Sequence, residues 1–177
     1  MFNFGKTEEE KARLSAMEEN FAIISFEPNG TILHANDNFL NALGYRLNEV
    51  VGNHHKIFCD KKYITTSEYA EFWNNLARGI SQINEFERIR KDGSSIWIQA
   101  SYTPVKNASG KVTRVVKFAQ DITESKKVVD AVKKAINLAK TGIVKQTITE
   151  TTSNEGIEEI KNGINDLFEI VSSKVDG

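Results

Sequence analysis

Three histidines, one cysteine and two tryptophans are the side chains of this 177-residue chain with ligand or redox chemistry to offer. His54 and His55 are adjacent, and Cys59 follows four residues later. Imidazole titrates near neutral pH and ligates metals. Neighbouring side chains leave the backbone in different directions, so at most one of His54 and His55 faces inward. His34 stands apart from the pair. Cys59 has only Lys56, Lys61 and Lys62 close in sequence to lower its pKa, and reads as an inert thiol. A single cysteine excludes an internal disulfide and fits a reducing compartment. Enzyme chemistry finds no purchase: the sequence has no Gly-rich phosphate loop, no cysteine pair for a metal and no Gly-x-Ser-x-Gly turn. Its acidic residues are scattered over helix faces. Each aromatic or imidazole side chain also has a structural reading: a hydrogen-bonding histidine, a Trp73 that packs a helix, a Trp97 and a Tyr102 that fill strand positions.

The elements that must position these residues fall into three zones: residues 1–20, a charged helical lead-in; 21–125, a mixed α and β domain; and 126–177, a helical segment without tryptophan or tyrosine. With 40% hydrophobic and 27% charged residues the chain can build one ordinary core. A net charge of -1 gives no basis for nucleic-acid binding. No apolar run approaches the roughly 18 residues of a membrane span, and MFNFGKTEEEKARL lacks a secretory apolar stretch. A cytoplasmic location is therefore expected.

In the middle zone Ala22 to Phe26, Thr31 to His34, Ile83 to Ile89, Ile96 to Tyr102 and Val112 to Ile122 read as strands separated by Gly-containing turns. Asn36-Asp37-Asn38 supplies capping side chains for a short helix ending at Gly44. Tyr69, Phe72, Trp73 and Leu76 lie at helical spacing. The order predicts an α+β fold: a five-stranded antiparallel sheet with short helices on one face and a pocket between the layers.

Four segments, Gly30 to Asn36, Gly44-Tyr45 with Glu49 to Gly52, Arg90 to Gly93 with Trp97-Ile98, and Asp121-Ile122-Thr123, follow the order of a PAS sensory domain. They resemble most those of bacterial aerotaxis receptors and soluble methyl-accepting chemotaxis proteins. That resemblance implies redox or oxygen sensing through FAD, with a histidine at the His55 position and a tryptophan at the Trp73 position. Trp73, Trp97, Phe58 and Asn36 are of types suited to wall a flavin and bond its edge. Haem b is an alternative that the family also implies, ligated by His54 or His55, with Trp97 as a distal donor. A cofactor-free dimerisation or interaction module is the other. The flavin photoreceptors of the LOV group carry a photoactive cysteine where this chain has His55, so light-driven adduct chemistry is not expected.

Beyond Thr123, Val128, Val132, Ala135, Ile136 and Ala139 mark one helix face. Ile157, Ile160, Ile164, Leu167 and Val171 step by 3, 4, 3 and 4 residues, a coiled-coil seam, with Phe168 and Val175 widening the stripe. The two-helix plan with a Gly-led connector resembles a HAMP-like signal-transfer unit, which implies a parallel homodimer. The alternative is an αα hairpin packed on its own domain. The family's kinase-docking hairpin and methylated helices have no counterpart here, so the expectation is either a sensory fragment of a longer receptor or a chain that signals through a partner. A chemoreceptor signalling domain or components of a histidine-kinase pathway are the expected partners.

Overall fold

The computed structural model describes residues 7–175, which divide into two compact units with the boundary between Asp121 and Ile122. In the first, strand periodicity sets the architecture. β1 (Ala22–Phe26), β2 (Ile32–Ala35), β3 (Gln82–Ile89), β4 (Ser95–Lys106) and β5 (Val112–Asp121) form one sheet in the order β2-β1-β5-β4-β3, antiparallel throughout. Alternation along β4 buries Ile96, Ile98, Ala100 and Tyr102 and turns Trp97 and Gln99 to the other side. The helical layer covers the buried face: α2 (Asp37–Leu43), α3 (Leu47–Val50), 3₁₀ turns at His55–Phe58 and Tyr63–Thr65, and α4 (Ser67–Ala77). α4 presents Tyr69, Phe72, Trp73 and Leu76 to the core at the spacing the sequence predicts. The fold is thus the expected five-stranded antiparallel sheet with helices, although β4 runs four residues past Tyr102 to Lys106. The lead-in is helix α1 (Glu8–Asn20), capped by Thr7 and Glu10, and buries no side chain.

The second unit holds α5 (Thr123–Lys140) and α6 (Glu155–Val175). Between them the chain returns along α5 in extended form. Gln146 Nε2 donates to Ala135 O at 2.7 Å, and Ser125 and Thr152 hydroxyls meet at 3.0 Å. Asn165 grips the returning strand from α6, accepting from Ile148 N at 2.9 Å and donating to Ile148 O at 3.0 Å. Because the connector leads back to the start of α5 before α6 begins, the two helices run parallel. Ala135, Ile148 and Phe168 form their small core, with Ala131, Val132, Ala139 and Ile164 against it. The predicted seam divides in two: Ile157, Ile164 and Val171 are half-buried, while Ile160 and Leu167 are exposed.

Asn36 shows how one side chain fixes several elements. Its Oδ1 accepts from Phe39 N at 3.0 Å, capping α2, and from Ile23 N at 2.8 Å in β1. Its Nδ2 donates to Phe21 O at 2.8 Å and Glu18 O at 3.1 Å, holding the end of α1. Loss of the cap alone is worth about 1–2 kcal/mol, and the strand amide would lose its partner as well. Asn36→Ala should therefore destabilise the chain by about 2 kcal/mol in denaturant unfolding, and Asn36→Asp, which keeps the acceptor, by less.

Candidate functional site

The segment Gly52 to His55 runs beside β2, with Gly52 N and Asn53 O bonded to Ile32 and His55 N donating to Gly30 O at 2.9 Å. In this extended stretch successive side chains alternate, and the two histidines part. His55 enters the core and is fully buried, whereas His54 stays half-buried beneath the β1–β2 turn. Gly30 closes that turn with φ +93°, and a Cβ there would lie 2.7 Å from His54 Nε2 and 3.0 Å from Trp73 Cε2. Glycine is required on both counts.

His55 sits in a shell of rings, with centroid distances of 5.3 Å to Trp73, 5.5 Å to Phe26, 5.7 Å to Tyr102 and 5.9 Å to Tyr69. Its Nε2 meets Tyr102 Oη at 3.0 Å and its Nδ1 meets Tyr69 Oη at 3.1 Å. Burial, reinforced by the charges of Arg88, Lys117 and His54, holds its pKa well below the usual histidine value, so the ring is neutral. Its tautomer follows from the neighbours. Arg88 Nη2 donates to Tyr102 Oη at 3.3 Å, which leaves the Tyr102 proton for His55 Nε2, so Nδ1 carries the ring proton and donates to Tyr69. Tyr69 Oη in turn lies 3.4 Å from His54 Nδ1, and His54 Nε2 donates to Asn29 O at 2.8 Å. A line of donors and acceptors thus crosses from Arg88 to the surface turn.

Three cationic or basic groups face one another here: His55, Lys117 and Arg88, at 0%, 1% and 3% exposure. The ammonium of Lys117 lies 5.0 Å from the Tyr102 ring centre and 5.3 Å from that of Phe39. Arg88 stacks its guanidinium 4.8 Å from Phe86. Burial, then the Arg88 charge, pulls the Lys117 pKa well down. Burial pushes the Tyr102 phenol up to about 12 and raises the Cys59 thiol and the Tyr69 phenol. Cys59 Sγ is 3.6 Å from His55 Nδ1 and stays protonated. Among the described residues, two buried side-chain donors make no hydrogen bond, Trp73 Nε1 and Arg88 Nε. The indole N–H is near enough to the Tyr69 hydroxyl to act on its pKa but is not aligned to donate to it.

Of the six residues proposed from sequence, His54, His55, Phe58 and Trp73 come together. Phe58 is buried against Phe39 and Tyr45 at ring distances of 5.2 and 5.5 Å. Asn36 stands apart because both ends of its amide serve the backbone. Trp97 stands apart because the pleat of β4 turns it to the far face of the sheet, with Glu87 as its partner across the ladder. It cannot serve there as a distal donor to a group bound beside His55. Sequence reasoning passed over Arg88 and Lys117, and took Tyr69 and Tyr102 only as packing residues. The available signal was period-2 alternation: Val115, Lys117 and Ala119 occupy one face of β5, which puts a lysine among core positions. Among the described residues, no cluster of three or more His, Cys, Asp or Glu is placed to hold a metal, and no helix is long and apolar enough to cross a membrane.

The neutrality of His55 has a thermodynamic consequence. Below pH 6.5 the unfolded chain protonates this imidazole and the folded chain does not, so the unfolded state binds more protons and stability falls as pH drops. The fall attributable to His55 should approach about 1.4 kcal/mol per pH unit until its folded pKa is reached. Chemical denaturation between pH 7 and pH 5 measures it, and His55→Gln should flatten the slope.

Comparison with known proteins agrees with this architecture. Residues 20–124 match the family model described as PAS domain. The biofilm dispersion protein BdlA of Pseudomonas aeruginosa is 33% identical over 165 residues, covering 93% of this chain and 39% of that protein. The aerotaxis receptor of Escherichia coli is 27% identical over 111 residues, 62% of this chain and 22% of the receptor. This chain thus spans about two fifths or less of either relative. Among solved structures, an RNA-binding light-oxygen-voltage receptor superposes with a TM-score of 0.61 at 20% identity, over 80% of this chain and 41% of that one. Its likeness is one of fold. On the extent of the family match and the identity to BdlA, the chain belongs to the PAS domain family.

Proposed function

We propose that this chain is a cytoplasmic sensory module of the chemotaxis-receptor type that reads redox state or oxygen through FAD in the ring-lined core. The observation that carries the reading is the neutral His55 held between two tyrosines, beside a buried Trp73 indole N–H that has no partner. An isoalloxazine ring asks for aromatic walls and a few donors at its polar edge. The residue types here fit: Trp73 and Arg88 offer the unused N–H groups, and Phe58 and Phe72 offer walls. The rings of Phe72, Trp73 and Tyr102 fill the space between helices and sheet, so admission of the group displaces them. When bound, the flavin would supply reversible reduction coupled to proton uptake. His55 would keep its proton on Nδ1, and the line through Tyr69 and His54 would connect the core with solvent. The similarity to the aerotaxis receptor of Escherichia coli supports the same reading. Haem b is less well served. An iron ligand needs a free imidazole nitrogen, and both nitrogens of His54 and of His55 are engaged.

The output would leave through β5. Lys117 lies on that strand four residues before Asp121, which pairs with Arg90 at 3.6 Å. A change in the core that moves Lys117 would bear on the start of α5 through the strand itself. In the second unit, the parallel helices joined by an extended connector support a HAMP-like role. The exposed Ile160, Leu167 and Ile170, with relative exposures of 61%, 55% and 53%, give a second copy of the chain an apolar face to cover. A chemoreceptor signalling domain or a component of a histidine-kinase pathway would then read the paired helices.

An absorbance spectrum of dark-purified protein, repeated after dithionite, tests the cofactor. Flavin bands that bleach on reduction are expected, and Trp73→Phe should weaken FAD retention about tenfold, as loss of a charge-free hydrogen bond of about 1.4 kcal/mol would do. A colourless protein that stays colourless after incubation with FAD and hemin would leave the cofactor-free interaction module. For the helices, Leu167→Lys should halve the solution mass measured by light scattering while leaving the circular dichroism unchanged. An unchanged mass would sink the paired-helix output.

A further inference from the structure

The inner face of the sheet is unbalanced in charge. Arg88 on β3 and Lys117 on β5 flank Tyr102 on the strand between them, and both side chains are buried. No aspartate or glutamate is among the buried residues of the described chain. None of the ion pairs among the described residues includes either cation. The core groups able to become anions, Tyr69, Tyr102 and Cys59, are all held protonated by burial. Asp60, Glu68, Glu85 and Glu87 line a groove that reaches Arg88 from outside, but all four are exposed to solvent. Taking an ion from water costs several kcal/mol unless a countercharge or dipoles replace the hydration. Cation–π contacts and two hydrogen bonds from Arg88 return part of this. Arg88 Nε and Trp73 Nε1 remain buried and unused.

We propose that this core is a binding site for an aromatic anion, a flat ring among the aromatic side chains whose negative charge answers Lys117 and Arg88. The proposal rests on the reading above that the core takes an occupant, and it names the occupant's chemical class. Charge-assisted hydrogen bonds from a guanidinium and an ammonium are the strong ones in a low-dielectric setting. The unpartnered Arg88 Nε and Trp73 Nε1 supply further donors to such a group. A bound anion beside Lys117 would also offset the burial that pulls its pKa down. Two sources share this chemistry: a flavin, whose reduced ring gives up a proton near neutral pH, and a free aromatic carboxylate.

Isothermal titration of the full chain distinguishes them, using benzoate against its neutral isostere benzamide, and dithionite-reduced against oxidised FAD. The anionic member of at least one pair should bind about tenfold or more tightly than its counterpart. That preference should fall to about threefold or less in Lys117→Met and persist in Lys117→Arg. Arg88→Met, read the same way, replaces Lys117→Met should the latter lose the native circular dichroism. Absence of a preference in both pairs, failure of all four probes to bind, or a preference that survives both methionine variants would overturn the anion site. FAD that binds equally in both redox states, with no preference for benzoate, would remove the anion site and leave the flavin reading intact. A benzoate preference with no FAD binding in either state would do the reverse.

Discussion

Burial of Arg88, Lys117 and a neutral His55 in one small volume is the constraint on which the rest of the first unit depends. Each cation has surrendered hydration, and within the described core no carboxylate replaces it. The neighbouring side chains answer with quadrupoles and lone pairs: the rings of Phe39, Phe86 and Tyr102 under the cations, and the Tyr102 hydroxyl between Arg88 and His55. Tyr102 is therefore the joint of the core. Its ring faces Lys117, its oxygen accepts from Arg88 and its proton orients the imidazole. A core held this way depends on each of these polar contacts being kept.

The helical layer exists to hold His55 and the tyrosines at that joint. Gly30 permits His54 and Trp73 to crowd the β1–β2 turn, and the strand-like run into His55 sends the two imidazoles to different environments. α4 then lays Tyr69, Phe72 and Trp73 over the imidazole from one side while β4 supplies Tyr102 from the other. Helix and sheet both pack against the fully buried His55. That geometry is common ground for any reading in which the core senses something, because a change there is felt by both layers at once.

β5 is the element through which such a change would travel. It is central in the sheet, hydrogen-bonded to β1 and β4 along most of its length, and its residues Val115, Lys117 and Ala119 line the core. The strand ends at Asp121, held by Arg90, and the chain passes directly into α5. In the second unit, Asn165 and Gln146 fix the returning connector by backbone-directed amide contacts, a specific arrangement that a featureless apolar hairpin would lack.

Local rules carried much of this structure. Alternating strands, Gly-containing turns, the Asn36 cap and the spacing of Tyr69, Phe72, Trp73 and Leu76 each depend on neighbours in sequence, and the five strands and the α4 core face were legible from them. The adjacency of His54 and His55 likewise determined that they would part, though not which would turn inward. What only the tertiary structure decided depends on contacts between distant segments. Alternation along β5 groups Lys117 with Val115 and Ala119, but only the register of β3, β4 and β5 and the helices over them put that face, with Arg88, inside. Trp97 reads as a pocket residue until the same pleat turns it away. In α6, Ile160 and Leu167 share a heptad seam with Ile164, but the returning connector occupies one side of the helix and splits the seam into covered and exposed halves. A period fixes which residues share a face; only packing between elements fixes which face is covered, and with it which charges must be buried.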